Sequence, residues 1–444
     1  METQSAELGT AAQPAPPPKP RMGPFWYLGK VGLGLILVFS LVILVSRVFV
    51  DSRGLTDYCQ DYQAAQRLTA GVPIYLPLHC FAGTYIYVPT PQEFDTHPPP
   101  AVFPVWPLGF LPFLSAATLW GLLSLAAYLA SGLLLLREIG WRSLGSLTLF
   151  VVGSLFWWPF TNAQEEQNWA QVTLLFLVVA WVLERRGHAR WAGVLLGLAG
   201  LFKAWPAVFL ALAMFQRRWQ TLWSGIVTLA AGTALSVLVL GIGAYTAYFG
   251  PVQANVVYWL PSEGNMALAG VITRFLVGYR DNAVVLVPLV QGVGLKQAAL
   301  VGESVGALAL VAVLVFLWRC QQRAQGETAA ALSLGILVTA VVLAFPLTWP
   351  WGIITLLLPV ATTLLALRQL PRPPRWWFAL AVLGLLPSAA PQFILFNTSW
   401  TWGAAGTVLF GLITYGLVAF TVAQAVLLYW LAWPAASHQE GAAV

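Results

Sequence analysis

The stretch AGVLLGLAGLFKAWPAVFLALAMF, Ala192 to Phe215, decides how this chain is threaded. It is apolar enough to enter a bilayer, but Lys203 and Pro206 interrupt it near its centre. Basic runs flank both ends, ERRGHAR before it and QRRW after it. Lys and Arg gather on the cytoplasmic side of membrane proteins, so a single crossing would carry one cluster to the wrong side and invert everything downstream. Proline removes a backbone donor and breaks a helix, which leaves two halves of about 15 Å each as helix. The preferred reading is a re-entrant helical hairpin over 192–215, entered from the cytoplasm with its tip near the midplane. Such backbone is tolerated only within protein or against a cavity. The competing reading makes this one crossing and adds another at Ala283–Val293.

The rest of the chain supports a membrane setting. It is 59% hydrophobic and 9% charged over 444 residues, with a mean hydropathy of +0.76. So few charges cannot cover a soluble surface, and the class is an all-α polytopic membrane protein. A span needs ~20 apolar residues, and about ten full spans can be drawn. They are Phe25–Val50, Ala116–Leu136, Ser143–Phe160, Trp169–Leu183, Thr221–Gly243, Leu300–Trp318, Ala329–Phe345, Gly352–Leu367, Trp376–Leu395 and Ala404–Leu431. With the N-terminus inside, the cytoplasmic loops hold Arg137 and Arg142, Arg185, Arg186 and Arg190, Arg217 and Arg218, Arg319 and Arg323, and Arg368, Arg372 and Arg375. The acids Asp51, Asp57, Asp61, Glu93, Asp95, Glu165, Glu166, Glu263 and Asp281 fall on the opposite side. The net charge of +6 is therefore a topology signal and excludes nucleic acid as the partner. The polar, proline-rich residues 1–24 read as a disordered cytoplasmic tail, 25–431 as the transmembrane domain, and 432–444 as a second cytoplasmic tail.

Two exoplasmic segments, 51–115 and 244–296, are too long for turns, and long ordered loops are usually functional. In the first, Thr56 is placed to cap a helix with Leu55, Tyr58, Cys59, Tyr62, Ala65 and Leu68 on one face, the spacing of a membrane-surface helix. Asp57 and Asp61 leave its flank together, one turn apart. Cys59 and Cys80 share this loop; a disulfide between them and two unlinked thiols are both open readings. The four histidines, His79, His97, His188 and His438, have no metal-ligand spacing. No carboxylate cluster insists on a metal, whether a divalent metal helps stays an open reading, and no cofactor is expected.

Several motifs, in order, resemble glycosyltransferase family 87, polytopic enzymes of the GT-C superfamily that include polyprenyl-phosphate-mannose-dependent mannosyltransferases. The first-loop pattern appears as Asp57, Tyr58, Tyr62, Ala64, Ala65, Gly71 and Tyr75. An aromatic before PPP appears as HPPPAVFPVWPLGFLP, with His97 in the aromatic position. A Gly-Gln-x-Asn motif is degenerate at Ala170, Gln171, Val172 and Thr173, whereas K-x-x-P is intact as Lys203 and Pro206. Asn265, Leu268 and Arg274 match a later loop motif. In FPLTWPWG, Pro346, Thr348 and Trp349 agree, but Trp351 and Gly352 stand where the family places a histidine.

The resemblance implies a GT-C-like helical bundle in a cell membrane, the bacterial inner membrane, with its active site on the exoplasmic face. It implies inverting transfer of a sugar, such as mannose, from a polyprenyl-phosphate donor to a glycolipid or glycan acceptor. Asp57 then takes the place of the general base, the alternative being a carboxylate stabilised by the helix dipole. Arg274 suits phosphate through its bidentate guanidinium, or else is an interfacial arginine. Lys203 lies at bilayer depth, where a cation is a functional hypothesis by default; it faces the phosphate or pairs with Glu165 or Glu166. His97 is the candidate to assist Asp57, with Asp61, Tyr62 and Asn265 as candidate substrate contacts. Trp349 and Trp351 either stack on a sugar or anchor the membrane interface. A lipid-linked-sugar transporter or flippase, or a member that binds without catalysis, is the alternative from another class. No internal repeat of the kind transporters carry is visible, which favours the enzyme.

Overall fold

The structure is a computed structural model that describes residues 24–51, 57–78, 95–262, 264–280, 285–324, 326–368, 374–389, 401–402 and 411–432. Thr56, Cys80 and nearly all of the two tails lie outside the described residues. The described chain is mostly helical: α1 (Pro24–Asp51), α2 (Asp57–Thr69), α3 (Val102–Val105), α4 (Phe113–Ile139), α5 (Leu144–Phe156), α6 (Trp158–Glu166), α7 (Ala170–Arg185), α8 (Ala189–Lys203) and α9 (Phe209–Phe215). There follow α10 (Trp219–Leu240), α11 (Ile242–Phe249), α12 (Pro251–Trp259), α13 (Leu268–Val277), α14 (Leu295–Gln321), α15 (Glu327–Ala344), α16 (Leu357–Leu367), α17 (Arg375–Ala389) and α18 (Leu412–Ala432). Three two-residue strands make a small ladder: β1 (Tyr279–Arg280) lies antiparallel to β2 (Val285–Leu286), and β2 lies parallel to β3 (Thr401–Trp402).

Among the described residues, seven helices are long and apolar enough to cross a membrane, or eight if the bent pair of α5 and α6 is one span. The ten spans drawn from sequence exceed this for physical reasons. The α7 helix has 16 residues, about 24 Å at 1.5 Å each, short of a hydrocarbon core of about 30 Å. The span drawn over Ser143–Phe160 breaks at Trp157 and turns by 67° into α6. Pro159 sits in the first turn of α6, where proline is well accommodated.

The interrupted stretch behaves as a broken helix. The α8 helix ends at Lys203, Ala204 takes φ 49° and ψ −59°, and a short 3-10 turn over Trp205–Val208 leads into α9. A non-glycine residue in that region is strained by about 1–3 kcal/mol. The chain nonetheless returns to the end it started from: Thr221, in the first turn of α10, donates its hydroxyl to Ala189 O at 3.1 Å, and Arg218 lies 3.5 Å from Glu184. The α8 and α10 helices therefore start side by side and run in parallel. Their contact is made by glycine, since a Cβ at Gly193 would collide with Thr221 O and one at Gly197 would sit 2.7 Å from Gly225 O. Small residues of this kind let two membrane helices approach backbone to backbone.

The α15 helix is the central post, with most of its residues buried. It starts at Glu327, 3.5 Å from Arg185, and runs 18 residues, about 27 Å, to the far end of the bundle. At its start, Glu138 also holds Arg186 at 3.0 Å, so the loop charges of α4, α7, α10 and α15 gather at one end. The first loop packs at the other end. The α2 helix buries Tyr58, Tyr62, Ala64 and Ala65 in a cluster with Val102, Val105, Leu108 and Trp120. A Cβ at Gly109 would lie 3.0 Å from the Ala65 backbone, so the loop is seated directly on α2.

Candidate active site

The elements at this end enclose a cavity of about 300 Å³. Asp57 faces it from the first turn of α2 and Lys203 from the broken end of α8. His97 joins them from the segment before the proline run, and Trp349 and Trp351 from the turn after α15. The remaining wall is largely apolar, with Val341, Val342, Phe345, Leu347 and Val256, plus the polar tips of Tyr248 and Gln253. Among the described residues, neither Asp57 nor Lys203 closes an ion pair. Both are thus available to a ligand.

Asp57 is half-buried and its carboxyl is pushed up to about 7. Burial is the main cause, with the charge of Glu166 next; His97 and Lys203 pull against it, and Asp61 adds to it. A carboxylate poised near neutrality is well matched to general-base work.

His97 is held from behind. Its Nδ1 lies 3.0 Å from Asp61 Oδ1 and 3.4 Å from Asp95 Oδ1. The ring is turned somewhat off the line of either hydrogen bond. Its backbone N–H donates to Asp95 Oδ1 at 2.8 Å, a local turn in which an Asx side chain bonds two residues on. The Tyr75 hydroxyl donates to His97 O, and the Trp169 indole N–H donates to Asp61 Oδ1 at 3.2 Å. Burial pushes His97 down, but the charge of Asp61 and the contacts to Asp61 and Asp95 override it and hold the imidazole at about 10. Burial likewise raises Asp95, opposed by its bond to His97. Asp61, Asp95 and His97 each offer one ligand-type atom within 4.8 Å of the others, the closest approach to a metal-binding group among the described residues.

Other residues singled out in the sequence sit elsewhere. Asp61 is buried behind His97, 1% exposed, and does not reach the cavity wall. Tyr62 donates to Leu111 O at 2.7 Å and packs edge-on against Phe113. Asn265 uses its whole amide on the backbone. It donates to Leu260 O at 3.1 Å and Pro346 O at 2.9 Å, and accepts from Ala267 N and Thr348 N. Arg274 is fully buried, with Nη1 donating to Ser262 O and to Asn265 O. These two side chains tie loop 260–267 to the segment that carries the tryptophans. Trp349 stacks on Trp351 at 5.4 Å between centroids. Glu165 and Glu166 lie on α6, and Glu166 is close enough to act on Asp57. Cys59 is disulfide-bonded and Cys320 is a free, buried thiol; Cys80, the partner of Cys59 in one of the two readings, lies outside the described residues.

Sequence reasoning missed Asp95 and Trp169 as holders of the site. The one available signal for Asp95 was its i,i+2 spacing to His97, the spacing of an Asx turn.

A helical membrane protein with a carboxylate, a cation and stacked aromatics around one cavity is suited to polar chemistry at the edge of a lipid phase. The sequence model of glycosyltransferase family 87 matches residues 96–346, more than half of the chain, and the chain belongs to that family. It is a membrane glycosyltransferase. It is also similar to a polyprenol-phosphate-mannose-dependent alpha-(1-2)-phosphatidylinositol pentamannoside mannosyltransferase of Mycolicibacterium smegmatis (strain ATCC 700084 / mc(2)155). The two are 26% identical over 357 residues, 76% of this chain and 80% of the relative. The family match takes in His97, Lys203, Asn265 and Arg274, and begins after Asp57 and Asp61.

Proposed function

We propose that this glycosyltransferase moves a sugar, mannose or a close relative, from a polyprenyl-phosphate donor to a glycolipid or glycan acceptor. The cavity opens on the exoplasmic face, opposite the arginine-bearing end of the bundle, as the charge bias favours. The observation that carries the reading is the placing of Asp57 and Lys203 on one cavity with a largely apolar wall beside them, neither in an ion pair among the described residues.

Each group has a place in the transfer. Asp57 takes the proton of the acceptor hydroxyl as its oxygen attacks the anomeric carbon. The bond from that carbon to the donor phosphate breaks, and the electron pair leaves on the phosphate oxygen. Lys203 lies where it meets that growing charge, which is strongly stabilising in a water-poor cavity. The stacked pair Trp349 and Trp351 offers a flat face for a sugar ring, and the valines and Phe345 suit the first isoprene units. The reading needs no cofactor beyond the lipid-linked donor.

The test is transfer of radiolabelled mannose from synthetic polyprenyl-phosphate mannose to glycolipid acceptors by the purified protein, with Asp57→Asn beside it. Transfer by the wild type and its loss in the variant support the reading. Full turnover by the variant removes Asp57 as base, and flipping of the donor without transfer favours a transporter.

A further inference from the structure

We infer that His97 is a second phosphate-binding group of this site: an imidazolium clamped through Nδ1 by Asp61 and Asp95, with Nε2–H presented to the donor phosphate. The inference rests on the glycosyl-transfer reading and adds a catalytic residue with two positioning residues behind it.

One edge of the ring is already occupied. Nδ1 is buried and faces both carboxylates, at 3.0 and 3.4 Å, and the residue itself lines the cavity. That leaves Nε2 as the nitrogen on the cavity side. Two carboxylates behind one imidazole over-supply acceptors, and a ring so placed binds a proton on Nδ1 and keeps it. The raised value of about 10 for His97 agrees. The ring is also fixed in orientation, because its own backbone N–H bonds Asp95 and Tyr75 bonds its carbonyl. Trp169 fixes Asp61 in turn.

The rest of the lining shows why the group is needed there. Trp351 and Gly352 line the same cavity and offer no charge, so Lys203 is the other cation among its described lining residues. A donor phosphodiester carries one negative charge, and the departing monoester gains a second. Lys203 and His97 together match that pair of charges. His97 keeps its proton throughout and acts as a hydrogen-bond donor.

The same three atoms are close enough to hold a metal ion, and the chemistry separates the two cases. The indole and backbone hydrogens already aim at the two oxygens nearest Nδ1. That arrangement suits a proton shared among the groups better than a bare cation.

The experiment measures binding of farnesyl phosphate to the full-length protein in nanodiscs by calorimetry, for wild type, His97→Gln, Asp61→Asn and the double variant. A lost charged hydrogen bond weakens binding by about ten- to a hundredfold, expected for His97→Gln. In Asp61→Asn the binding should become pH-dependent, with its alkaline limit moving from about 10 down toward the ordinary histidine value of 6.5. A merely structural role for Asp61 would not move that limit. Asp61→Asn should add little in the His97→Gln background. Unchanged affinity in a folded His97→Gln protein, or an unmoved limit in Asp61→Asn, overturns the inference. So does a stoichiometric metal in the purified protein whose removal by chelator abolishes binding. If the wild type binds farnesyl phosphate through His97 but transfers no sugar from any polyprenyl-phosphate donor, the glycosyl-transfer reading falls and the phosphate site stands.

Discussion

Two charged clusters sit at opposite ends of one helical bundle whose central α15 helix is about 27 Å long, and they are built on opposite terms. At one end Glu138 is shared by Arg185 and Arg186, and Arg185 reaches on to Glu327, with side chains 15% to 66% exposed. At the other, His97 is shared by Asp61 and Asp95, with side chains 1% to 7% exposed. A cavity of about 100 Å³ at the first end is bordered by Glu184, Arg185 and Arg218, but these charges already have partners. The cavity of about 300 Å³ at the second end holds Asp57 and Lys203, neither in an ion pair among the described residues. Exposed pairs of the first kind are worth little and are screened by salt. Buried, incompletely matched groups of the second kind are costly, and proteins keep them where chemistry uses them. On the proposed reading, the first cluster orients the chain in its membrane and the second carries the transfer.

The contrast between the two ends breaks most sharply at Asp57. General-base assistance is worth about 10²–10⁴-fold, so Asp57→Asn should lower kcat by that order while leaving helicity and melting temperature in place, checked by transfer assay and circular dichroism. Retained turnover would make the two ends equivalent. Arg274→Ala comes next, and here stability is the readout. It removes the Arg274 donor from the Ser262 and Asn265 carbonyls. Ser262 O keeps the Asn265 N–H, but Asn265 O loses its side-chain donor at about 1–3 kcal/mol, which should lower the melting temperature and loosen the tryptophan wall together. A protein of unchanged stability and impaired phosphate binding would instead place Arg274 at the substrate.

The pH dependence sharpens the contrast further. As the proposed base, Asp57 would work only when deprotonated, and burial with Glu166, His97, Lys203 and Asp61 around it sets its value at about 7. As the proposed phosphate donor, His97 would work only when protonated, and Asp61 and Asp95 hold its proton to about 10. Below the first value kcat/KM should fall tenfold per pH unit, and above the second it should fall again, giving a bell. A flat acid limb in the transfer assay would remove the carboxylate from the rate. The smallest effect belongs to the other end. Arg186→Ala should change stability by about 0.2–1 kcal/mol and leave kcat unaltered, with denaturation and turnover as the two checks.

How much of this was legible in the sequence depends on how local the signal is. Lys203 and Pro206 mark the broken helix because a cation and a helix-breaker inside an apolar run both work against an uninterrupted span, and Ala204 shows the strained backbone between them. The gathering of arginines at one end followed from charge bias alone. Asp57 and Asp61 look alike in sequence, one turn apart on the same helix, but the fold separates them. Asp57 meets the cavity and Asp61 is sealed behind His97, because α2 packs on the loop carrying Gly109 rather than standing free. Asn265 and Arg274 read as ligand contacts because they match a family loop motif and a guanidinium suits phosphate. What occupies them is a set of backbone carbonyls from residues 260–265 and Pro346, which no side-chain pattern records. The kink at Trp157 was hidden for a related reason: the apolar run continues through it.

Single-turnover transfer of labelled sugar from polyprenyl-phosphate mannose, by wild type and Asp57→Asn below and above pH 7, decides whether Asp57 is the base. Wild-type transfer should rise through about pH 7, the value set for Asp57, while Asp57→Asn is slow and shows no such limb. Equal rates for the two proteins, or the same acid limb in both, would contradict that role.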